Sequence, residues 1–176
     1  KNGLLNINIP LVVSNHENFK ELVNSYNIPY RFMPVREDNK KQQEEKLLYL
    51  IKKENIDLLV LARYMQVLSP KICSALKGKA INIHHSFLPS FKGARPYQQA
   101  YDKGVKIIGA SAHYITEDLD EGQIIEQDVS RVNHSNTIDN FLTIGREIES
   151  AVLLRALKWH TEYRILLNEN KTVVFH

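Results

Sequence analysis

The feature that most constrains this chain is a short, unbroken apolar run, Leu58-Leu-Val-Leu-Ala62. A strand with one wet face alternates apolar and polar residues. A continuous run instead fits a parallel strand whose crossover helices cover both faces. The neighbouring sequence repeats the theme. Residues 10–13, 30–35 and 80–84 read as further strands. Between them lie helical signals. Ser14-Asn-His-Glu17 has the spacing of a capping box, and Phe19, Leu22, Val23 and Tyr26 follow at helical period. Residues 40–54 read as a charged amphipathic helix with Leu47 and Ile51 inward, and residues 70–77 as a short helix. The order β-α-β-α-β-α-β predicts an α/β fold of Rossmann-like architecture, an open, mostly parallel sheet flanked by helices.

The second half changes character. Residues 85–96 form a long loop holding Pro89, Gly93 and Pro96, and residues 97–103 a helix. Residues 106–116 and 123–129 predict long strands joined by an acidic turn, an antiparallel hairpin. Asn136 or Thr137 caps a final helix whose buried stripe is Ile138, Phe141, Ile148, Val152, Leu153 and Trp159. Residues 171–175 predict a closing strand.

Composition narrows the function classes. A length of 176 residues, 43% of them hydrophobic, fits one domain with a sizeable core. No apolar run approaches the roughly 20 residues that span a bilayer, so no membrane partner is expected. The net charge of +3 is spread along the chain, which argues for solvated helix surfaces and against nucleic-acid binding. The single cysteine, Cys73, reads as a core residue, and its solitude fits a reducing cytoplasm. The chain opens on Lys1, with a strand signal almost at once, so it is expected to be a fragment whose N-terminal portion is missing.

Several familiar sites are absent: G-x-G-x-x-G, the P-loop, H-E-x-x-H, C-x-x-C and G-x-S-x-G. What stands out is Ile81-Asn-Ile-His-His-Ser-Phe-Leu-Pro89. Asn82 and His84 sit two apart on a strand, so both side chains aim the same way. They lie at the strand's C-terminal end, where open α/β sheets place their crevice. On residue type alone, a hydrogen-bonded strand-end Asn and a structural His are the favoured reading over catalysis. His85 is expected on the opposite face, which makes the His84–His85 pair a poor metal chelate. Thr116-Glu-Asp-Leu-Asp-Glu-Gly122 crowds acidic residues into a turn. It is either a solvated hairpin turn or the source of a carboxylate facing His84, and spacing does not choose among Asp118, Asp120 and Glu121. The loop at 86–97 is long enough to cover a ligand.

Taken in order, N-x-H-x-S-x-L-P, Gly93-Ala-Arg-Pro-Tyr97 with Gln99-Ala-Tyr101, Gly104-Val-Lys-Ile-Ile-Gly-Ala110, Ala112-His-Tyr114 and Leu119-Asp-Glu-Gly122 resemble the formyltetrahydrofolate-using hydrolases and transferases, most closely the deformylase branch. The likeness runs from about residue 9 to the end. It implies a formyltransferase-like catalytic domain over residues 1–176, lacking an N-terminal ACT-type regulatory domain and the first β-α unit. It implies hydrolysis of 10-formyltetrahydrofolate to formate and tetrahydrofolate, in the one-carbon supply to purine synthesis, with Asn82, His84 and Asp120 as the catalytic groups. It also implies a folate site at Met65, Gln66, Val67, Leu68 and Thr116, a homo-oligomer, and neither metal nor other cofactor. Gln98 departs from the His expected there. In this scheme Asn82 and a protonated His84 stabilise the oxyanion, His84 handles the proton of the leaving nitrogen, and Asp120 raises the pKa of His84. The rival readings are a formyltransferase using the same triad, a silent folate-binding module, and a metal hydrolase built on His84, His113 and Asp120.

Overall fold

The computed structural model describes residues 5–88 and 95–176. The chain divides into two compact units, Lys1–Asp57 and Leu58–His176.

In the first unit, β1 (Val12–Ser14) pairs in parallel with β2 (Tyr30–Phe32), with Val12 opposite Tyr30. The helices are α1 (Lys20–Ser25) and α2 (Lys40–Lys53). The capping box at Ser14 does not form. Ser14 stays in β1, where its carbonyl accepts from Met33 N–H and its hydroxyl from His16 N–H. Helix α1 therefore starts later, with Phe19 at its N-cap and no side-chain cap. Helix α2 has the expected span and buries Leu50, with Leu47 and Ile51 half-buried. Lys52 and Lys53 in its last turn complement the helix dipole.

The second unit is built on a four-stranded sheet in the order β3 (Leu59–Ala62), β4 (Ala80–His84), β5 (Ile107–Tyr114), β6 (Ile124–Arg131). Strands β3 and β4 are parallel, joined across α3 (Pro70–Ala75), as the apolar run predicts. Pro70 sits in the first turn of α3, where its missing N–H costs nothing, and Cys73 is buried as expected. The expected cover on both faces of β3 is not found: Leu61 is buried on one face, while Val60, on the other, is 37% exposed. Strand β5 runs antiparallel to both β4 and β6, and β5–β6 is the expected hairpin, with an irregularity between Ala112 and His113.

Two helices support this sheet: α4 (Pro96–Asp102) and α5 (Ile138–Thr161). Thr137 caps α5, exchanging hydrogen bonds with Asn140. The α5 stripe enters a core with Ile81, Ile83, Ala110, Ala112 and Tyr114, and the predicted Phe141, Ile148, Val152 and Trp159 are all buried there. The closing strand β8 (Lys171–Val174) pairs with β7 (Ile165–Asn168), which the sequence reading did not anticipate. Tyr163, at φ 57°, turns the chain after α5 without a glycine to mark the break. Among the described residues no helix is long and apolar enough to cross a membrane.

Candidate active site

The site forms at the C-terminal end of β4. Period two brings Asn82 and His84 to one side, and the antiparallel register sets His113 of β5 opposite Asn82. The Asn82 amide nitrogen lies 3.2 Å from His113 Nε2, and His113 Nδ1 lies 2.8 Å from the carbonyl of Tyr114. A carbonyl only accepts, so in a neutral ring the His113 proton belongs on Nδ1, and Nε2 accepts from the amide of Asn82. That leaves the amide a second N–H to spend.

Asp120 enters from the β5–β6 turn, held at φ 58°. Left-handed backbone at a non-glycine residue is strained, and it persists only where the surroundings enforce it. Gly122 supplies part of that enforcement. A Cβ there would stand 1.7 Å from the carbonyl oxygen of Tyr114, so only glycine lets the turn lie this close on β5. The result is Asp120 Oδ1 at 3.3 Å from His84 Nδ1 and 3.7 Å from His113 Nε2. The first is within reach of a hydrogen bond; the second is an electrostatic contact. Asn82, His84 and Asp120 are therefore brought together, and the turn's geometry distinguishes Asp120 from Asp118 and Glu121.

Burial dominates the electrostatics. It lowers the pKa of His84 to about 4, against the opposing pull of Asp120, with His85 and His113 adding to the depression. The expected rise is thus corrected: Asp120 favours the imidazolium, but desolvation of a side chain only 8% exposed outweighs it. Asp120 is held below the usual carboxylate range, first by His113, whose Nε2 contributes only when it carries a proton, and by His84, with burial opposing. At neutral pH the pair is a carboxylate beside a neutral imidazole. The carboxylate accepts, so the His84 proton sits on Nδ1. Its Nε2 keeps the lone pair and has no hydrogen-bond partner among the described residues.

His85 does not take the opposite face. Strand β4 ends at His84, so the alternation stops there, and the two rings stack with centroids 4.8 Å apart. Fully buried Ser111 fixes the next residues. Its hydroxyl accepts from Leu88 N–H and Gln127 Nε2 and donates to the Ser86 carbonyl.

A half-open cleft lies beside Asn82, His113 and Asp120, walled by Leu61, Tyr64 and residues 66–68 and by residues 115–119. Gln66, Val67, Leu68 and Thr116, expected at a folate site, line this cleft. Met65 does not line the cleft and is 63% exposed. Gln98 is spent on Asp102 along the exposed side of α4. Residues 89–94 of the loop expected to cover a ligand, with Pro89 and Gly93, lie outside the described residues. His113 is the site residue that the sequence reading underrated, weighing it only as a metal ligand. Its cross-strand register with Asn82 is the missing signal, and a single strand's spacing does not contain it. Among the described residues no group of three or more His, Cys, Asp or Glu is arranged to hold a metal ion.

Residues 1–157 match the family described as formyl transferase. The chain is 52% identical over 174 residues to a formyltetrahydrofolate deformylase of Bacillus subtilis, covering 99% of this chain and 58% of that protein. Among solved structures it resembles a formyltetrahydrofolate deformylase from Burkholderia mallei, at TM-score 0.93 and 50% identity over 99% of this chain and 62% of that one. It also resembles a phosphoribosylglycinamide formyltransferase from Coxiella burnetii, at TM-score 0.88 but 28% identity, over 98% and 82% of the two chains. The chain thus spans less than two thirds of the deformylases it matches.

Proposed function

The chain belongs to the formyl transferase family, and from that premise we propose that its protein hydrolyses 10-formyltetrahydrofolate to formate and tetrahydrofolate. One observation carries the reading: a neutral His84 whose Nδ1 faces Asp120 and whose buried Nε2 has no partner among the described residues, behind a cleft that Asn82 and Asp120 line. This is a base waiting for a proton, oriented by a carboxylate, the arrangement that activates a nucleophile. The greater identity to deformylases than to the transferase supports water as that nucleophile.

In the proposed reaction the pterin lies along Gln66, Val67, Leu68 and Thr116. Water adds to the formyl carbon and gives a proton to Nε2 of His84. The new imidazolium is stabilised by Asp120. The free N–H of Asn82 donates to the oxygen that gains charge, a contribution worth roughly 10²–10³ in rate for one such donor. His84 then passes its proton to N10, the carbon–nitrogen bond breaks, and formate and tetrahydrofolate leave. The neutral resting state of His84 sets the order of events: it accepts first and donates second.

The competing reading is transfer of the formyl group to an amine, which the same three residues would serve. The test is formate release by the purified protein from 10-formyltetrahydrofolate, with and without glycinamide ribonucleotide. Formate production independent of the acceptor is expected. Formylated acceptor as the main product, with little formate in its absence, would replace hydrolysis by transfer.

A further inference from the structure

We propose that His85 is a positioning residue for His84, its stacked ring fixing the plane in which His84 presents Nδ1 to Asp120 and Nε2 to the reacting water; the proposal rests on the reading of His84 as the base. A neutral imidazole held at one nitrogen by a 3.3 Å contact is pinned at a point. Together with the Cβ–Cγ tether this contact sets the ring plane, but at 3.3 Å it is a weak restraint on the side-chain torsion, and packing on the ring face adds a second. His85 supplies that packing: the ring centroids are 4.8 Å apart and the planes 23° from parallel.

His85 is braced in turn. The ring of Tyr97 lies 6.2 Å away and tilted by 51°, within the range of aromatic contact. The hydroxyl of Tyr97 donates to Glu149 Oε1 at 2.6 Å. Gly145 admits the Tyr97 ring, because a Cβ there would lie 2.2 Å from Cζ of Tyr97. A line of contacts therefore runs from α5 through Tyr97 and His85 to His84 and Asp120.

Among the described residues no contact at Nε2 accounts for the place of His85. Its Nε2 is buried and has no hydrogen-bond partner among the described residues. Burying an imidazole nitrogen unpaired is unfavourable, so the ring itself is the useful part. The charged or titratable groups acting on His85 are Glu149, Asp120 and Arg63, and those acting on His84 are Asp120, His85 and His113. Proximity to His85 also disfavours the charged form of His84, which agrees with a base that rests neutral.

The experiment compares His85→Phe, which keeps a ring and removes both nitrogens, with His85→Leu, which keeps bulk and removes the ring. Formate release and the ¹⁵N shifts of His84, which report its tautomer, are measured on each. His85→Leu should lower kcat about tenfold or more while KM stays within about threefold, because misorientation of a base acts on the transition state. It should also mix the His84 tautomers. His85→Phe should retain most of the rate and the single Nδ1–H tautomer. Equal damage by both variants, an effect carried by KM, or an unmixed tautomer in His85→Leu would overturn the proposal. If His85→Leu does not fold, His85→Gln takes its place as the polar variant without a ring. If neither folds, His85→Phe alone decides, a wild-type rate and tautomer supporting the stack and their loss refuting it. A wild-type protein that releases no formate would remove the hydrolytic reading, while the tautomer measurement would still decide the role of the stack.

Discussion

His84 is governed by competing influences, and the winner has kinetic consequences. Burial takes its pKa to about 4 against the attraction of Asp120. A base must be unprotonated to act, so kcat/KM for formate release should fall with acid only below about pH 4 and stay flat from there toward neutrality. An acid-limb midpoint at pH 6 or above would contradict the burial-lowered pKa of His84, and activity lost as pH rises through that range would mean that His84 works as the charged acid instead. Asp120→Asn removes the influence that favours the imidazolium. The acid limb should then move to still lower pH, while kcat drops by roughly 10² or more because the charge formed on His84 loses its partner. His84→Ala should cost about 10³ in kcat and leave tetrahydrofolate affinity within a few fold, as expected of a group acting mainly in the transition state. Loss of affinity at an unchanged single-turnover rate would make His84 a binding residue. Asn82 and His84 were legible as a pair because strand alternation is local. Their partner His113 was not, because it faces Asn82 from β5, 31 positions along the chain.

At the level of elements, the β5–β6 turn carries most of the precision. Asp120 holds a left-handed φ, and Gly122 lies against the backbone of Tyr114. Backbone meeting backbone has no rotamer to relieve it, so in Gly122→Ala the turn must move and carry Asp120 away from His84. Since displacements near 1 Å at a catalytic group can cost about 10²-fold, kcat should fall by at least about tenfold with little change in folate affinity. Wild-type turnover in Gly122→Ala would show that the turn does not set the position of Asp120. The elements also show where sequence reading ends. The spans of α2 and β4 follow from period, and that of α5 from period and its Thr137 cap, all within the segment. The capping box at Ser14 failed because pairing with β2 claimed that residue, a choice made by a neighbouring strand. His85 escaped the alternation because β4 stops one residue earlier.

For the molecule as a whole, the buried histidines predict an acid-sensitive fold. Unfolded His84 takes up a proton below about pH 6.5, and folded His84 only near pH 4. Between those values the unfolded chain binds more protons, so stability is complete above about 6.5 and declines as pH falls through the window. The full shift corresponds to about 3 kcal/mol. His85 and His160 are lowered as well and act in the same direction. Asp120, lowered below its usual 3.8, adds a further loss only at more acidic pH. Urea midpoints should therefore drop between pH 6.5 and 4, and His84→Gln should flatten that dependence; an unchanged slope in the variant would contradict the assigned burial of His84. The sequence by itself determined the alternation of strands and helices, the hairpin, the inward stripe of α5 and the shared face of Asn82 and His84, because each depends on period and spacing within one segment. Only the tertiary structure decided that His113 joins the site, that His85 stacks on His84, that Met65 stays out of the cleft and that His84 rests uncharged. Register, packing and desolvation arise between segments, and no single segment contains them.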